Sequence, residues 1–111
     1  MVVGTCRVEL RIPDTSSLKG KRQVLRSIKD RVRSRFNVSI AEVGYLEEWQ
    51  RAALAVVCVS NEAKVVDGML SKVVDLIEGH GSALLVDYAI DVEVHGDGMP
   101  EIDGASHRGI W

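Results

Sequence analysis

Aromatic side chains are scarce in this chain, at 5% of 111 residues, and proline and cysteine occur only twice each. Each shortage excludes something. One pair of cysteines cannot build the disulfide framework on which small secreted domains rely. Cys6 and Cys58 both fall in apolar, strand-like runs, where a free thiol behaves as a small hydrophobe. The longest uninterrupted apolar run, Ala52 to Val59, is far short of the roughly 20 residues that a membrane span requires. The N-terminus reads as strand from its second residue, without the basic segment, apolar core and cleavage site of a signal peptide. These absences predict a cytosolic protein. Length and a 46% hydrophobic content predict a single core, in a chain able to bury roughly 60 to 70% of its unfolded surface.

Acid is lacking in one place. The net charge is only -2, but eight of the fourteen Lys and Arg residues lie between Leu18 and Phe36, where Asp30 is the sole acid. The C-terminal part is the reverse, with Asp87, Asp91, Glu93, Asp97, Glu101 and Asp103. Such unevenness carries more information than the net charge does.

What is present is regular patterning. Val2 to Ile12 alternates strictly, with Val2, Gly4, Cys6, Val8, Leu10 and Ile12 on one face, which predicts a half-buried strand. Pro13 and Asp14 end it, and Thr15, Ser16 and Ser17 offer hydroxyl caps for a helix whose apolar stripe is Val24, Leu25, Ile28, Val32 and Phe36. Val38 to Val43 and Arg51 to Ser60 read as strands joined by a hairpin loop. Ser60 or Asn61 is positioned to cap a second helix with stripe Val66, Met69, Leu70, Val73 and Ile77, which the glycines flanking His80 stop. In the last strand Leu84, Val86, Tyr88, Ile90, Val92 and Val94 are expected to face the core. The segment 95–111, rich in Gly and Asp and without periodicity, is expected to be a flexible tail after a domain of residues 1–94.

Two βαβ halves joined by a hairpin predict an α+β, ferredoxin-like βαββαβ sandwich: a four-stranded antiparallel sheet with both helices on one face and strands one and three central. The open face then divides in two. Arg7, Glu9 and Arg11 of strand one are expected to pair with Asp87, Asp91 and Glu93 of strand four. Strand three instead turns Ala53, Ala55, Val57 and Val59 outward, and Ala41 and Val43 of strand two extend an apolar patch. Such a patch needs a cover. The expected cover is a second copy in a homodimer; the alternatives are another protein or the tail folding back with Ile110 and Trp111.

The stretch SLKGKRQVLRSIKDRVRSRFNVSIAEV from Ser17 to Val43, followed by WQRAALAVVCVSNE from Trp49, closely resembles the YlxP-like family of small uncharacterised bacterial proteins. The resemblance covers roughly residues 1 to 94. It implies a ferredoxin-like fold and genes that often neighbour those of translation initiation and ribosome maturation factors. It implies no established activity, and gene neighbourhood is association without mechanism.

On a helical wheel Lys19, Arg22, Arg26, Lys29 and Arg33 form a basic stripe beside the apolar one. Ordinary surface helices interleave signs to gain i,i+4 pairs, whereas this face repels itself. The expected ligand is RNA or a ribosomal particle, whose phosphates would release counterions on binding; the bland alternative is a solvated face, and an acidic protein partner is the other functional one. Lys21 falls within the apolar sector. Two readings are open for it: its stem snorkels past the sheet end, or it joins Lys19, Ser16, Ser17 and free helix amides as a further phosphate contact. Tyr45 and Trp49 lie in the hairpin loop, where either anchoring a partner or capping the core edge suits them. Trp49 is grouped here with the apolar partner surface.

Stacking of bases on the sheet is not expected, because the central strands turn Val3, Thr5, Arg7, Glu9, Ala53, Ala55, Val57 and Val59 outward rather than aromatics. An acylphosphatase-like phosphate loop needs glycine after strand one, and Thr15 to Leu18 has none. No nucleophile, base and orienting group stand together, so no catalytic residue is assigned and a non-enzymatic role is expected. The histidines His80, His95 and His107 are scattered. His95, Asp97, Asp103 and His107 offer only adventitious metal binding in the tail, and no metal or cofactor is expected.

Overall fold

The alternation of the first strand, Val2–Arg11 (β1), decides the layering: its even-numbered residues are buried under helices, and its odd-numbered ones face away. The computed structural model describes residues 1–96. After β1 come α1 (Leu18–Arg35), β2 (Ser39–Gly44), β3 (Arg51–Ser60), α2 (Ala63–Glu78) and β4 (Leu84–Val94). The strands form one antiparallel sheet in the order β2-β3-β1-β4, so β1 and β3 are central and both helices cover one face. This is the ferredoxin-like α+β architecture that the sequence predicts. No helix among the described residues is long and apolar enough to cross a membrane. The tail expected from residue 95 onward lies, after Gly96, outside the described residues.

One core lies between sheet and helices, built from Val8, Leu10, Leu54 and Val56 of the central strands against Leu25, Ile28 and Val32 of α1 and Val66, Leu70, Val73 and Ile77 of α2. Helix α2 lies so close to β1 at Gly4 that a Cβ there would overlap the side chains of Val66 and Leu70. Ser17 caps α1, its Oγ accepting from the Gly20 amide at 3.0 Å. Neither Ser60 nor Asn61 is the N-cap of α2. Glu62 occupies that position without a side-chain cap bond, and Ser60 Oγ accepts from the Glu62 amide at 3.3 Å instead. At the other end Gly81, not Gly79, takes the left-handed conformation, with φ 91°.

Two bulges change which residues face where. In β4 the pairing with β1 shifts between Glu9 and Leu10, so that Asp87 stands opposite Glu9 and Leu85 opposite Leu10. Leu85 therefore packs on the core, while Leu84 and Val86, expected inside, are exposed. The register also removes the expected cross-strand ion pairs. Glu93 faces Val3, Asp91 faces Thr5, Ala89 faces Arg7, and Asp87 faces another acid. In β2 the shift falls between Glu42 and Gly44, which places Gly44 opposite Ala53 and leaves Val43 as the extra residue.

Candidate nucleic-acid interface

Helix α1 buries Lys21, Leu25, Ile28 and Val32. Its two flanks differ. On one, Ser27 Oγ lies 3.0 Å from His80 Nε2 just beyond α2. On the other, Arg33 reaches over the sheet edge and donates from Nη2 to the Ile40 carbonyl of β2 at 3.0 Å. Because residues three and four apart share a helix face, Lys19, Arg22, Arg26 and Lys29 lie on the same flank as Arg33. Lys19, Arg22 and Arg26 are exposed and Lys29 is half-buried. Among the described residues none of these four has an acidic partner within 4.0 Å; Asp30 pairs, at 4.0 Å, with Arg33 alone. The first turn of α1 contains no acid either. Lys19 and Arg22 therefore add to the positive end of the helix dipole rather than offset it. Arg33 is partly committed to the β2 edge, where it covers a carbonyl that an adjoining strand would otherwise use.

Lys21 does not belong to this surface. It is 1% exposed, and its Nζ donates to the carbonyls of Tyr45 and Glu48, at 2.7 Å each, with Glu42 Oε2 at 2.9 Å as a charge partner. Two of the three N–H donors of the ammonium go to those carbonyls, and its charge is balanced by Glu42 Oε2, a buried oxygen that accepts no hydrogen bond among the described residues. The side chain is sealed from water, so it neither snorkels nor meets a phosphate, which corrects both readings of it. The burial that places Lys21 in the apolar sector is repaired by Glu42, which shares the inward face of β2 with Ile40. That shared alternation was the available signal: two opposite charges, each on a core-facing position.

The same contacts hold the β2–β3 loop rigid. Thr15 Oγ1 donates to the Trp49 carbonyl at 2.7 Å, and Gln50 Nε2 donates to the carbonyls of Pro13 and Thr15 at 3.2 and 3.1 Å. Tyr45 sits at φ 57°, a left-handed conformation that costs a non-glycine residue about 1 to 2 kcal/mol. That turn lays its ring over the open face, with the Arg51 guanidinium 3.9 Å from the ring centroid. Its hydroxyl donates to Glu9 Oε1 at 2.9 Å, where Arg7 also donates, at 3.1 Å. Those bonds, from Arg7 first and Tyr45 second, hold the Glu9 carboxyl below its ordinary range and push the Arg7 guanidinium higher. Of the two roles open to it, Tyr45 thus caps the sheet.

That cap revises the apolar patch. Ala53 is fully buried beneath it and cannot meet a partner, and Ala55 is half-buried. Ala41 and Val43 are exposed, as are Val57 and Val59, at 41% and 63%. Trp49, 52% exposed, stands beyond the opposite end of β3 from Val59 and does not join this patch. It lines a shallow concavity together with Arg11, Glu47, Glu48, Gln50 and Arg51.

The remaining reactive groups are placed for structure. Burial pushes the Cys6 thiol up to about 11, and it raises Cys58 as well, so neither is a thiolate at neutral pH. Burial, and the nearby Arg31, hold His80 below its ordinary value, and among the described residues its Nδ1 has no hydrogen-bond partner. Among the described residues no group of three His, Cys, Asp or Glu side chains could hold a metal ion.

Comparison with known proteins agrees with the resemblance carried by the α1 and β3 segments. The chain is 39% identical over 77 residues to "Uncharacterized protein YlxP" of Bacillus subtilis (strain 168), an alignment covering 69% of this chain and 84% of that protein. A family model described as "Protein of unknown function (DUF503)" matches residues 3–90, a span that takes in the basic helix, the buried Lys21–Glu42 pair and the rigid loop. The chain belongs to this YlxP-like DUF503 family.

Proposed function

We propose that the protein is a non-enzymatic, cytosolic factor that binds RNA, free or within a ribosomal particle, by contacting phosphates through the β2-side flank of α1. One observation carries the reading: Lys19, Arg22, Arg26 and Lys29 line a single flank with no acidic partner among the described residues. A helix that served only solubility would gain by interleaving acids, and this one forgoes that. The spacing suits a polyanion, since successive cations three or four residues apart lie on the order of 5 to 6 Å from one another. Arginine adds bidentate phosphate geometry. Arg33 contributes less than its neighbours, because leaving the Ile40 carbonyl has a cost.

Replacing Lys19, Arg22 and Arg26 together with Glu tests the proposal, with RNA or ribosomal-subunit binding as the readout. Binding is expected to be lost at moderate salt, while the fold, to which these exposed side chains contribute little, is retained. Unchanged affinity would refute the proposal.

A second reading is favoured by Val57 and Val59. They leave the lower part of the open sheet face apolar, and self-association through it would join two copies about a two-fold axis. Sedimentation of the wild type and of Val57→Lys separates the cases: a concentration-dependent dimer lost on substitution supports the reading, and a wild type monomeric throughout opposes it.

A further inference from the structure

We infer that the RNA surface ends in a stacking platform, Trp49, and that the ligand is therefore single-stranded RNA with at least one unpaired base on the indole. This deepens the proposal above and rests on it. The sheet cannot stack bases, since its central strands present no aromatic and Tyr45 already lies beneath Arg51. The loop that carries Trp49 is built to a different standard from an ordinary hairpin connection. Thr15, Lys21 and Gln50 bind its backbone or tie it to the β1–α1 turn, and Tyr45 accepts a left-handed conformation to close it. All this fixes the backbone around an indole that remains 52% exposed. A loop held so firmly, with a large aromatic left facing water, is arranged for recognition rather than for packing.

The surroundings favour a nucleotide. Arg11 shares the concavity with Trp49 and, among the described residues, has no acid within 4.0 Å. Arg51 is engaged by Glu48 at 3.5 Å and by the Tyr45 ring. Glu47 also lines the concavity and repels phosphate there, so Arg11 is left as its phosphate contact while a base meets the indole. Continuity follows from Lys21, which ties the first turn of α1 to the carbonyls of Tyr45 and Glu48. Lys19 and Arg22, its neighbours in that turn, therefore begin the basic flank beside the loop. A strand following the flank thus reaches the loop that carries Trp49. The interior of a duplex cannot use the platform, because its base faces are already stacked on one another; only the terminal pairs leave a face open, so the comparison duplex must be long.

The test uses the full chain with Trp111→Phe, so that Trp49 is the only indole, and compares an oligouridylate with an RNA duplex of equal nucleotide number. Oligouridylate should quench the Trp49 fluorescence, and the duplex should not. Trp49→Ala should weaken oligouridylate binding roughly 5- to 150-fold, the range for loss of one stacked base. Trp49→Phe should recover most of that loss, and the salt slope should be unchanged because no phosphate contact is removed. A merely structural role would instead appear as a lower melting temperature in both variants with RNA affinity untouched. If the charge-reversed α1 variant loses binding while Trp49→Ala binds oligouridylate like the wild type, the platform is wrong and the basic-flank proposal stands. If the wild type binds neither RNA nor ribosomal subunits, both fail.

Discussion

Replacing Lys21 with Met removes the ammonium while keeping most of the stem, and the structure sets the size of the effect. The side chain is 2% exposed, so water does not replace it. Two carbonyls lose donors at 2.7 Å; that of Tyr45 keeps the Glu48 amide, so only the Glu48 carbonyl is left without its donor, a loss of about 1 to 3 kcal/mol. The Glu42 carboxylate, 19% exposed, loses the one charge partner it has among the described residues. Breaking one side of a buried pair costs about 3 to 5 kcal/mol. These terms overlap because they share one group, so they do not add. The expected destabilisation is about 3 to 5 kcal/mol, read from urea unfolding followed by circular dichroism. For a domain near 100 residues each kcal/mol moves the melting temperature by roughly 4 to 8 °C, so a large thermal shift should accompany it. The double variant Lys21→Met, Glu42→Leu should recover part of the loss, because no stranded charge remains. A single substitution costing less than about 1 kcal/mol would refute the reasoning that this buried ion pair organises the loop.

Other consequences can be checked separately. Gly4→Ala should destabilise by about 1 to 3 kcal/mol through overpacking against Val66 and Leu70, measured by thermal unfolding. His80 is held below its ordinary 6.5 in the folded state, so the unfolded chain binds its proton more readily. Its contribution to stability is therefore present above about that value and lost as pH falls through the range below it; His80→Gln should flatten that part of the stability profile. In the native protein Cys6 and Cys58 should resist a thiol reagent at neutral pH and react only on unfolding, because burial keeps both protonated. Tyr45→Ala should uncover Ala53 and loosen the loop, seen as faster amide exchange at Glu48, whose amide bonds to the Tyr45 carbonyl at 3.0 Å.

The layering was legible because β1 alternates without a break and the helical stripes of α1 and α2 have one period each. Period-two and period-3.6 signals survive wherever backbone geometry is regular. They failed at the two bulges. One extra residue near Val86 reverses the facing of everything before it, so Leu84 and Val86, in phase with Ile90 by count, end outside. Nothing in local composition marks that position. The bulge near Val43, together with the left-handed Tyr45, likewise folds an aromatic over Ala53, which alternation alone leaves bare. The basic flank was legible as a stripe because helix geometry is rigid enough for a wheel to hold. Lys21 was legible only as an anomaly, since its partners are two carbonyls in a loop whose course no periodicity fixes. Alternation places Trp49 beside the strand-three patch for the same reason, whereas the loop carries it past the opposite end of β3 from Val59.

The central claim, that α1 holds RNA by the cations of its β2-side flank, is tested most directly by the salt dependence of binding. Single-strand contacts each contribute about 0.7 to the slope of log affinity against log salt. If Lys19, Arg22 and Arg26 each neutralise a phosphate, neutralising them as Gln should lower that slope by roughly 2 and weaken affinity most at low salt. A slope identical in wild type and variant would contradict the account.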